Sequence, residues 1–349
     1  MKNKRIFILN ILIFIIFIII TYLYINYSYK KEIKLLKIKQ HNEFKEKRKT
    51  LKSSPFPIDV VYTWSGENYE STNIRFTDHN ELKYSLRSII MFLPWVNHIY
   101  ILMNPPKKYP SWMKKCNYIT IIDHNDVMNT NIKYTNSNAI ETYLPYINNL
   151  SEHFIYFNDD VFICRPLEYT NFFTNDGKAV IPESKNIKSN NFNIIPDYNN
   201  LNIKFPKFGG WWYHIPINLI KSEMIKYHNE YRDYIKFVRS IHKRETLGCN
   251  VCTLNNLHCP CQQQHWPNIY YMKDNNKTLL KNFEKNDFAY YNIYYILYFD
   301  ILDDLYIKDP MFLCLNNATK TSIETNKKIT SIFTKFSDEY FYIKPIHEI

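Results

Sequence analysis

The chain reads as an α/β protein with a mostly parallel sheet and flanking helices, preceded by an N-terminal transmembrane helix. Three observations lead there. Short apolar runs alternate with stretches of helical periodicity, the pattern of strand–helix–strand units. One run, His153-Phe-Ile-Tyr-Phe-Asn-Asp-Asp160, ends on adjacent carboxylates, as a buried strand does when it delivers polar groups to a sheet edge. And Ile6 to Ile25 is apolar apart from Asn10 and Thr21, about the length that crosses a bilayer as a helix.

Residues 1–5 form a short tail and 6–25 the anchor, with no small-residue cleavage site after it. Residues 26–54 form a basic stalk, helical or disordered. Ten Lys and Arg lie between Lys30 and Lys52, so much of the formal charge of +11 sits outside the globular part. A juxtamembrane segment explains that charge better than nucleic-acid binding. The catalytic domain spans 55–349. Within it Ile58–Tyr62 is a strand, and Asn80–Met91 is a helix carrying Leu82, Leu86, Ile89 and Ile90 on one face, stopped by Pro94. His98–Met103 and Tyr118–Ile122 are strands. Ser137 caps a helix to Tyr146, and Phe154–Phe157 is the next strand. Residues 184–204 are an Asn- and Lys-rich loop insertion. Pro216–Arg239 is helical with a break near Asn229, Met311–Leu315 is a late strand, and Thr319–Phe336 is a final helix.

Cys249, Cys252, Cys259 and Cys261 lie in a Cys-rich segment, 245–268. They suit either structural Zn2+ or disulfides; the single-residue gap of the second pair is unusual for zinc. No Gly-rich phosphate loop, G-x-S-x-G or H-E-x-x-H occurs, which leaves no support for P-loop, serine-hydrolase or zincin chemistry. Paired carboxylates at a strand end suit a hard divalent cation shared with phosphate oxygens. Standing alone, Asn158-Asp159-Asp160 would equally be a turn after a strand.

The ordered motifs carry a resemblance. Ile58-Asp-Val-Val-Tyr-Thr-Trp64 is similar to the first region of the Stealth proteins. Asp78-His-Asn-Glu-Leu-Lys-Tyr-Ser-Leu-Arg-Ser-Ile89, Pro94–Ile101, Pro110-Ser-Trp112, Asn136–Glu141 and Leu150–Asp160 resemble the second. His214-Ile-Pro216 with Phe237-Val-Arg-Ser240 resembles the third, and Phe312–Asn317 the fourth. The family includes bacterial capsule hexose-1-phosphate transferases and the animal GlcNAc-1-phosphotransferase alpha/beta subunit. The resemblance implies a Rossmann-like core, Mg2+ or Mn2+, and transfer of a sugar-1-phosphate from a nucleotide sugar to a hydroxyl of a glycan or glycoprotein. It implies Glu141, Asp160, His214 and Arg239 as catalytic, with Arg244 as the alternative arginine. Asp159, Asp160 and Asn316 are the expected metal ligands. Asp59, Trp64, Asn80, Glu81, Arg87, Asn104 and Ser137 are the expected substrate contacts. One departure stands out: the fourth region usually ends Asn-Asp, and here reads Asn316-Asn317, replacing a charged ligand by a neutral one. Two other classes stay open, a GT-A-like glycosyltransferase and an inactive membrane-anchored sugar-binding relative. The basic residues after the anchor favour a cytosolic domain. The cysteine cluster and the animal enzyme favour a type II protein facing the Golgi or ER lumen.

Overall fold

In the computed structural model, the described residues are 2–66, 77–129, 134–183, 214–242, 265–284, 286–298, 300–317 and 321–349. The Cys249–Cys261 cluster, the 184–204 loop and Arg244 lie outside them. The three described cysteines, Cys116, Cys164 and Cys314, are free thiols.

The first helix, α1, runs without interruption over Lys2–Thr50. Its residues Asn10 onward include one segment long and apolar enough to cross a membrane. The basic part is not a detached stalk. Ile33 and Phe44 are buried against the domain, and Phe44 meets the Phe92 ring edge-on at 5.2 Å. Gln40 Nε2 donates to the Tyr306 carbonyl at 2.8 Å, and Lys37 pairs with Glu339 at 3.1 Å. Ile33, Lys37, Gln40 and Phe44 recur at helical spacing, so one face docks while the lysines between stay wet.

Next come β1 (Ile58–Trp64), α2 (Glu81–Phe92), β2 (Ile99–Met103), β3 (Ile119–Asp123), α3 (His124–Met128), α4 (Ser137–Glu141) and β4 (His153–Asn158). Then follow β5 (Val161–Ile163), β6 (Ala179–Glu183) and β7 (Ile217–Ile220). The central sheet has the order β3-β2-β1-β4-β7. The first four strands are mutually parallel, and β7 closes the edge antiparallel to β4. Their runs are apolar because helices and a second sheet cover both faces. From β1 the chain steps to β2 and β3 on one side and returns to β4 on the other. The order therefore reverses between β1 and β4, where open α/β sheets open a crevice at their carboxyl ends.

Helix α2 joins the layers. It buries Leu82, Leu86 and Ile89 as its periodicity requires. Its Ser85 bonds the Tyr62 hydroxyl at 2.7 Å and also the Val161 carbonyl, and Ser88 accepts from Ile163 N–H at 3.0 Å. The helix ends at Phe92, because Leu93 before Pro94 is driven out of helical geometry (φ −125°, ψ 62°).

The second half differs from expectation in two places. The segment from Pro216 is not helical at its start: Ile217–Ile220 is β7, fully buried against β4. Helices α5 (Lys221–Glu230) and α6 (Arg232–Ser240) follow, broken at Tyr231. The helix expected over 137–146 is the single turn α4 and then a 3-10 turn, Leu144–Tyr146, with Pro145 inside it. Its cap is Asn136, whose side chain accepts from Asn138 N–H, rather than Ser137.

The chain continues through α7 (His265–Asp274), β8 (Thr278–Asn282), β9 (Phe288–Asn292), α8 (Asp303–Lys308), β10 (Phe312–Asn316) and α9 (Ile323–Tyr340). Strand β10 lies between β5 and β9 in a second sheet, antiparallel to β5. Its register, Cys314 opposite Val161, brings the end of β10 beside the turn after β4. Leu315 N–H donates to the Asp160 carbonyl at 3.0 Å. That pairing is why residues far apart in sequence share one site.

Candidate active site

A cavity of about 270 Å3 opens at the carboxyl ends of the parallel strands. Each strand contributes to its wall: Thr63, Trp64 and Ser65 from β1, Leu102 and Asn104 from β2, His124 after β3, and Asn158, Asp159 and Asp160 from β4. Ser137 and Glu141 enter from α4, Asp78 and Glu81 from the start of α2, His214 from the segment before β7, and Asn316 and Asn317 from β10.

Strand β4 organises this wall. The Tyr156 hydroxyl is buried 2.9 Å from Thr63 Oγ1, 3.0 Å from Asn158 Oδ1 and 3.5 Å from Glu141 Oε1. It has one proton to give, so Thr63 donates to it while that proton is shared between Asn158 Oδ1 and the more distant Glu141 Oε1. Burial, and next the Glu141 charge, push its pKa well above the ordinary tyrosine value. Tyr156 thus stays a neutral strut that holds Glu141 at the cavity wall.

The electrostatics are one-sided. Asp78, Glu81, Glu141, Asp159 and Asp160 all line the cavity, and none of its described lining residues is Lys or Arg. Burial, then the charges of Asp160 and Asp78, push the Asp159 carboxyl up to about 8. Glu81 is raised well above the carboxylate range by burial, then by Asp78 and Asp159. Like charges this crowded cannot all ionise unless a cation joins them. Among the described residues no group of three or more His, Cys, Asp or Glu converges as a complete metal cage. Asp159, Asp160 and Asn316 supply two carboxylates and one amide oxygen on one wall. That set fits magnesium or manganese, which takes one or two carboxylates and completes its shell with water and phosphate oxygens.

Asn317 has a local reason for being an amide. Its Nδ2 lies 3.4 Å from His79 Nε2, and His79 Nδ1 lies 2.7 Å from Thr330 Oγ1. Burial lowers the His79 pKa to about 4, so the imidazole is neutral. Nε2 then accepts from the Asn317 amide while Nδ1–H serves Thr330, a pattern an ionised Asp could not complete.

Of the expected site residues, the structure brings together Trp64, Glu81, Asn104, Ser137, Glu141, Asp159, Asp160, His214 and Asn316. Four lie elsewhere. Asp59 sits near the amino end of β1, the opposite edge, accepting from Asn97 Nδ2 at 2.8 Å and Ser151 N–H at 2.7 Å. Asn80 is the left-handed residue (φ 71°) that opens α2, its N–H bound to Asp78 Oδ1. Arg87 is fully buried and forked onto Glu348, with Nη2 to Oε2 at 2.6 Å, and its Nη1 reaches Asp338 at 2.7 Å. Arg239 is not among the described residues lining the cavity. Its Nε donates to Thr142 Oγ1 at 2.9 Å and its Nη2 to the Thr142 carbonyl at 2.8 Å, with the guanidinium 4.1 Å from the Tyr143 ring centre. The same end of α6 also receives Thr135 and Asn136 N–H on the His242 carbonyl. Helix α6 therefore clamps α4 on both sides of Glu141. Asp78, His124 and Tyr156 join the site without being expected there, and Asn158 lies at the sheet edge as its strand end predicts. Asp78 lies inside the run Asp78–Ile89, but nothing local marks its direction.

Residues 75–181 match the profile of Stealth protein CR2, conserved region 2. Over this segment the chain is similar to the Stealth proteins. The matched segment contains Asp78, Glu81, Asn104, His124, Ser137, Glu141 and Asn158–Asp160, which include all five carboxylates of the cavity. A capsular polysaccharide phosphotransferase of Neisseria meningitidis is 44% identical over 149 residues, 36% of this chain and 40% of that protein. The corresponding phosphotransferase of Haemophilus influenzae is 38% identical over 174 residues, 43% of this chain and 47% of that protein. The match thus spans less than half the length of each. Among solved structures, a galactosyltransferase with donor and acceptor sugar analogues aligns over 82% of this chain and 98% of its own, with a TM-score of 0.41 and 12% identity.

Proposed function

We propose that this chain transfers a sugar-1-phosphate, a hexose- or N-acetylhexosamine-1-phosphate, from a nucleotide sugar to a glycan hydroxyl and releases the nucleoside monophosphate. The observation that carries the reading is the buried, single-sign cavity at the strand-reversal point. Five carboxylates line it with no described Lys or Arg, so a pyrophosphate can enter only together with a cation. The names of the matched relatives, capsular polysaccharide phosphotransferases, support the reaction class.

In this reading the acceptor oxygen forms a bond to the β-phosphorus, the anhydride bond to the bridging oxygen breaks, and its electron pair leaves on the nucleoside monophosphate. Asp159, Asp160 and Asn316 would hold Mg2+ or Mn2+, which when bound supplies positive charge to the two phosphates. His214, on the cavity wall, takes the acceptor hydroxyl proton on an imidazole nitrogen. Glu141, steadied by Tyr156 and by the α6 clamp, binds sugar hydroxyls or orients that histidine. Trp64 offers a stacking face to a sugar ring. The apolar part of α1 anchors the domain in a membrane as a type II protein facing the Golgi or ER lumen. Protease protection of the domain in sealed microsomes tests that orientation.

The reaction is tested by incubating the purified full chain in detergent with a panel of nucleotide sugars and Mg2+ or Mn2+. Nucleoside monophosphate release coupled to acceptor phosphorylation is the expected result. Release of diphosphate instead would assign the chain to glycosyl transfer. No release from any donor would make it an inactive binding relative, with the neutral Asn317 as the first residue to revert.

A further inference from the structure

The strand order puts Asp159 and Asp160 on the β4 side of the cavity. On the β2–β3 side the strands present uncharged residues, Leu102, Asn104 and His124. Two atoms there are incomplete. Asn104 Oδ1 is buried without a hydrogen-bond partner, and so is Nδ1 of His124, a side chain only 1% exposed. Buried polar groups are nearly always paired, and leaving one unmade costs more than an ordinary hydrogen bond gains. The neighbouring Asp123 carboxylate is engaged elsewhere. Asp123 already caps α3, accepting from Asn125 and Asp126 N–H, and accepts from Lys107 N–H as well. His124 is neutral, since burial lowers its pKa to about 4, so it offers hydrogen bonding without a charge. The backbone gives both residues a fixed place: Asn104 directly follows the last residue of β2 and His124 the last of β3, in a parallel pair whose register ends Met103 opposite Asp123.

We propose that Asn104 and His124 form the nucleobase subsite of the donor. Asn104 Oδ1 accepts a base N–H, and His124 Nδ1 pairs with the neighbouring group on the same base edge. This rests on the nucleotide-sugar reading and adds to it the part of the donor that is recognised by shape and hydrogen bonding. The spacing suits an extended nucleotide. From β3 to β4 the sheet order crosses three strand intervals, roughly 14 Å. A base at the β2–β3 end would leave the phosphates over Asp159 and Asp160. The neutral end takes the aromatic, uncharged part of the ligand, and the acidic end takes the cation and pyrophosphate. Tyr134, whose ring stands edge-on to His124 at 6.1 Å, supplies an apolar wall beside the base.

The test is calorimetric binding to the full chain in detergent, with Mn2+ present, of UDP, CDP, GDP, ADP and, as the base-free probe, inorganic pyrophosphate. Asn104→Ala and His124→Ala are measured beside the volume-keeping Asn104→Leu and His124→Phe. The proposal expects each variant to weaken the best-bound nucleoside diphosphate by about tenfold or more, the loss of one buried hydrogen bond, with pyrophosphate affinity unchanged. It is overturned if nucleotide affinity is unchanged in the variants. It is equally overturned if nucleotide and pyrophosphate affinities fall together in the volume-keeping pair, or if only the glycan acceptor weakens. Wild-type protein that binds pyrophosphate but no nucleoside diphosphate would take down the donor reading itself. Unchanged donor affinity in active variants would remove only this subsite.

Discussion

Two groups of buried charge sit on the same helix and teach opposite lessons. At the middle of α2, Arg87 is held between Glu348 and Asp338, with Lys83 also 3.7 Å from Glu348. Positive and negative are matched inside the molecule, and the guanidinium pKa stays above its ordinary value: burial opposes its charge, but Glu348 and Asp338 outweigh burial. At the start of the same helix, Glu81 joins Asp78, Asp159 and Asp160, all of one sign, and its proton is held well beyond the carboxylate range. A balanced buried cluster is complete and ties the chain together. An unbalanced one is incomplete until something positive arrives from outside. Membership of a motif does not separate the two, since Arg87 and Glu81 occur in one run of twelve residues, Asp78–Ile89.

The largest predicted effect breaks the unbalanced side. Asp160→Asn should lower turnover by ~10³–10⁴-fold, roughly 4–5.5 kcal/mol of transition-state stabilisation, with the fold retained. Near-normal metal-dependent turnover in the variant would remove Asp160 from the mechanism. The matching change on the balanced side is Arg87→Ala. It leaves Glu348 buried without its fork, and should cost about 3–5 kcal/mol in denaturant unfolding. A loss below ~1 kcal/mol would mean that the pair is solvated in practice. His214→Ala should reduce kcat by ~10²-fold or more with a smaller change in donor affinity, measured by separating kcat from binding. A variant with intact kcat and poor donor binding would make His214 a binding residue.

The remaining effect has an unusual sign. Asp159→Asn should raise the melting temperature of the cation-free protein, because it removes one of the crowded carboxylates. Asp159 titrates at about 8 in the folded chain against ~3.9 when unfolded. The folded state therefore holds the extra proton between those values, and stability falls as pH rises through them. The gain from the substitution should grow from about pH 4 to about pH 8 and then level off. A lower melting temperature for the variant at pH 8 would show that the carboxylate is already satisfied.

Much of the scaffold was legible in the sequence. Strands β1 to β4 are apolar runs with β-branched and aromatic residues, and α2 has a clean face and a proline stop. What escaped was decided by distant pairing. Ile217–Ile220 follows a proline and precedes a helix, and only its antiparallel bonds to β4 make it a strand. Strand β5 is three residues long and exists because β10 lies beside it. In the site, the acidic motif and His214 were visible as residue types. The resemblance implies Arg87 as a substrate contact, and its partner Glu348, 261 residues away, is invisible in the local sequence. Arg239 was read as catalytic although its fork closes on Thr142, the residue after Glu141. Tyr156 looked like core, and it is core, yet its hydroxyl reaches Glu141. The docking of α1 through Ile33, Gln40 and Phe44 was masked by the lysines between them.

The measurement that bears most directly on the comparison is a calorimetric titration of Mn2+ into the purified full chain, repeated with Asp160→Asn and with Arg87→Met. The unbalanced cluster predicts saturable binding to the wild type, its loss in Asp160→Asn, and its retention in any Arg87→Met protein that folds. Absence of Mn2+ binding in the wild type, or equal binding in wild type and Asp160→Asn, would contradict the account.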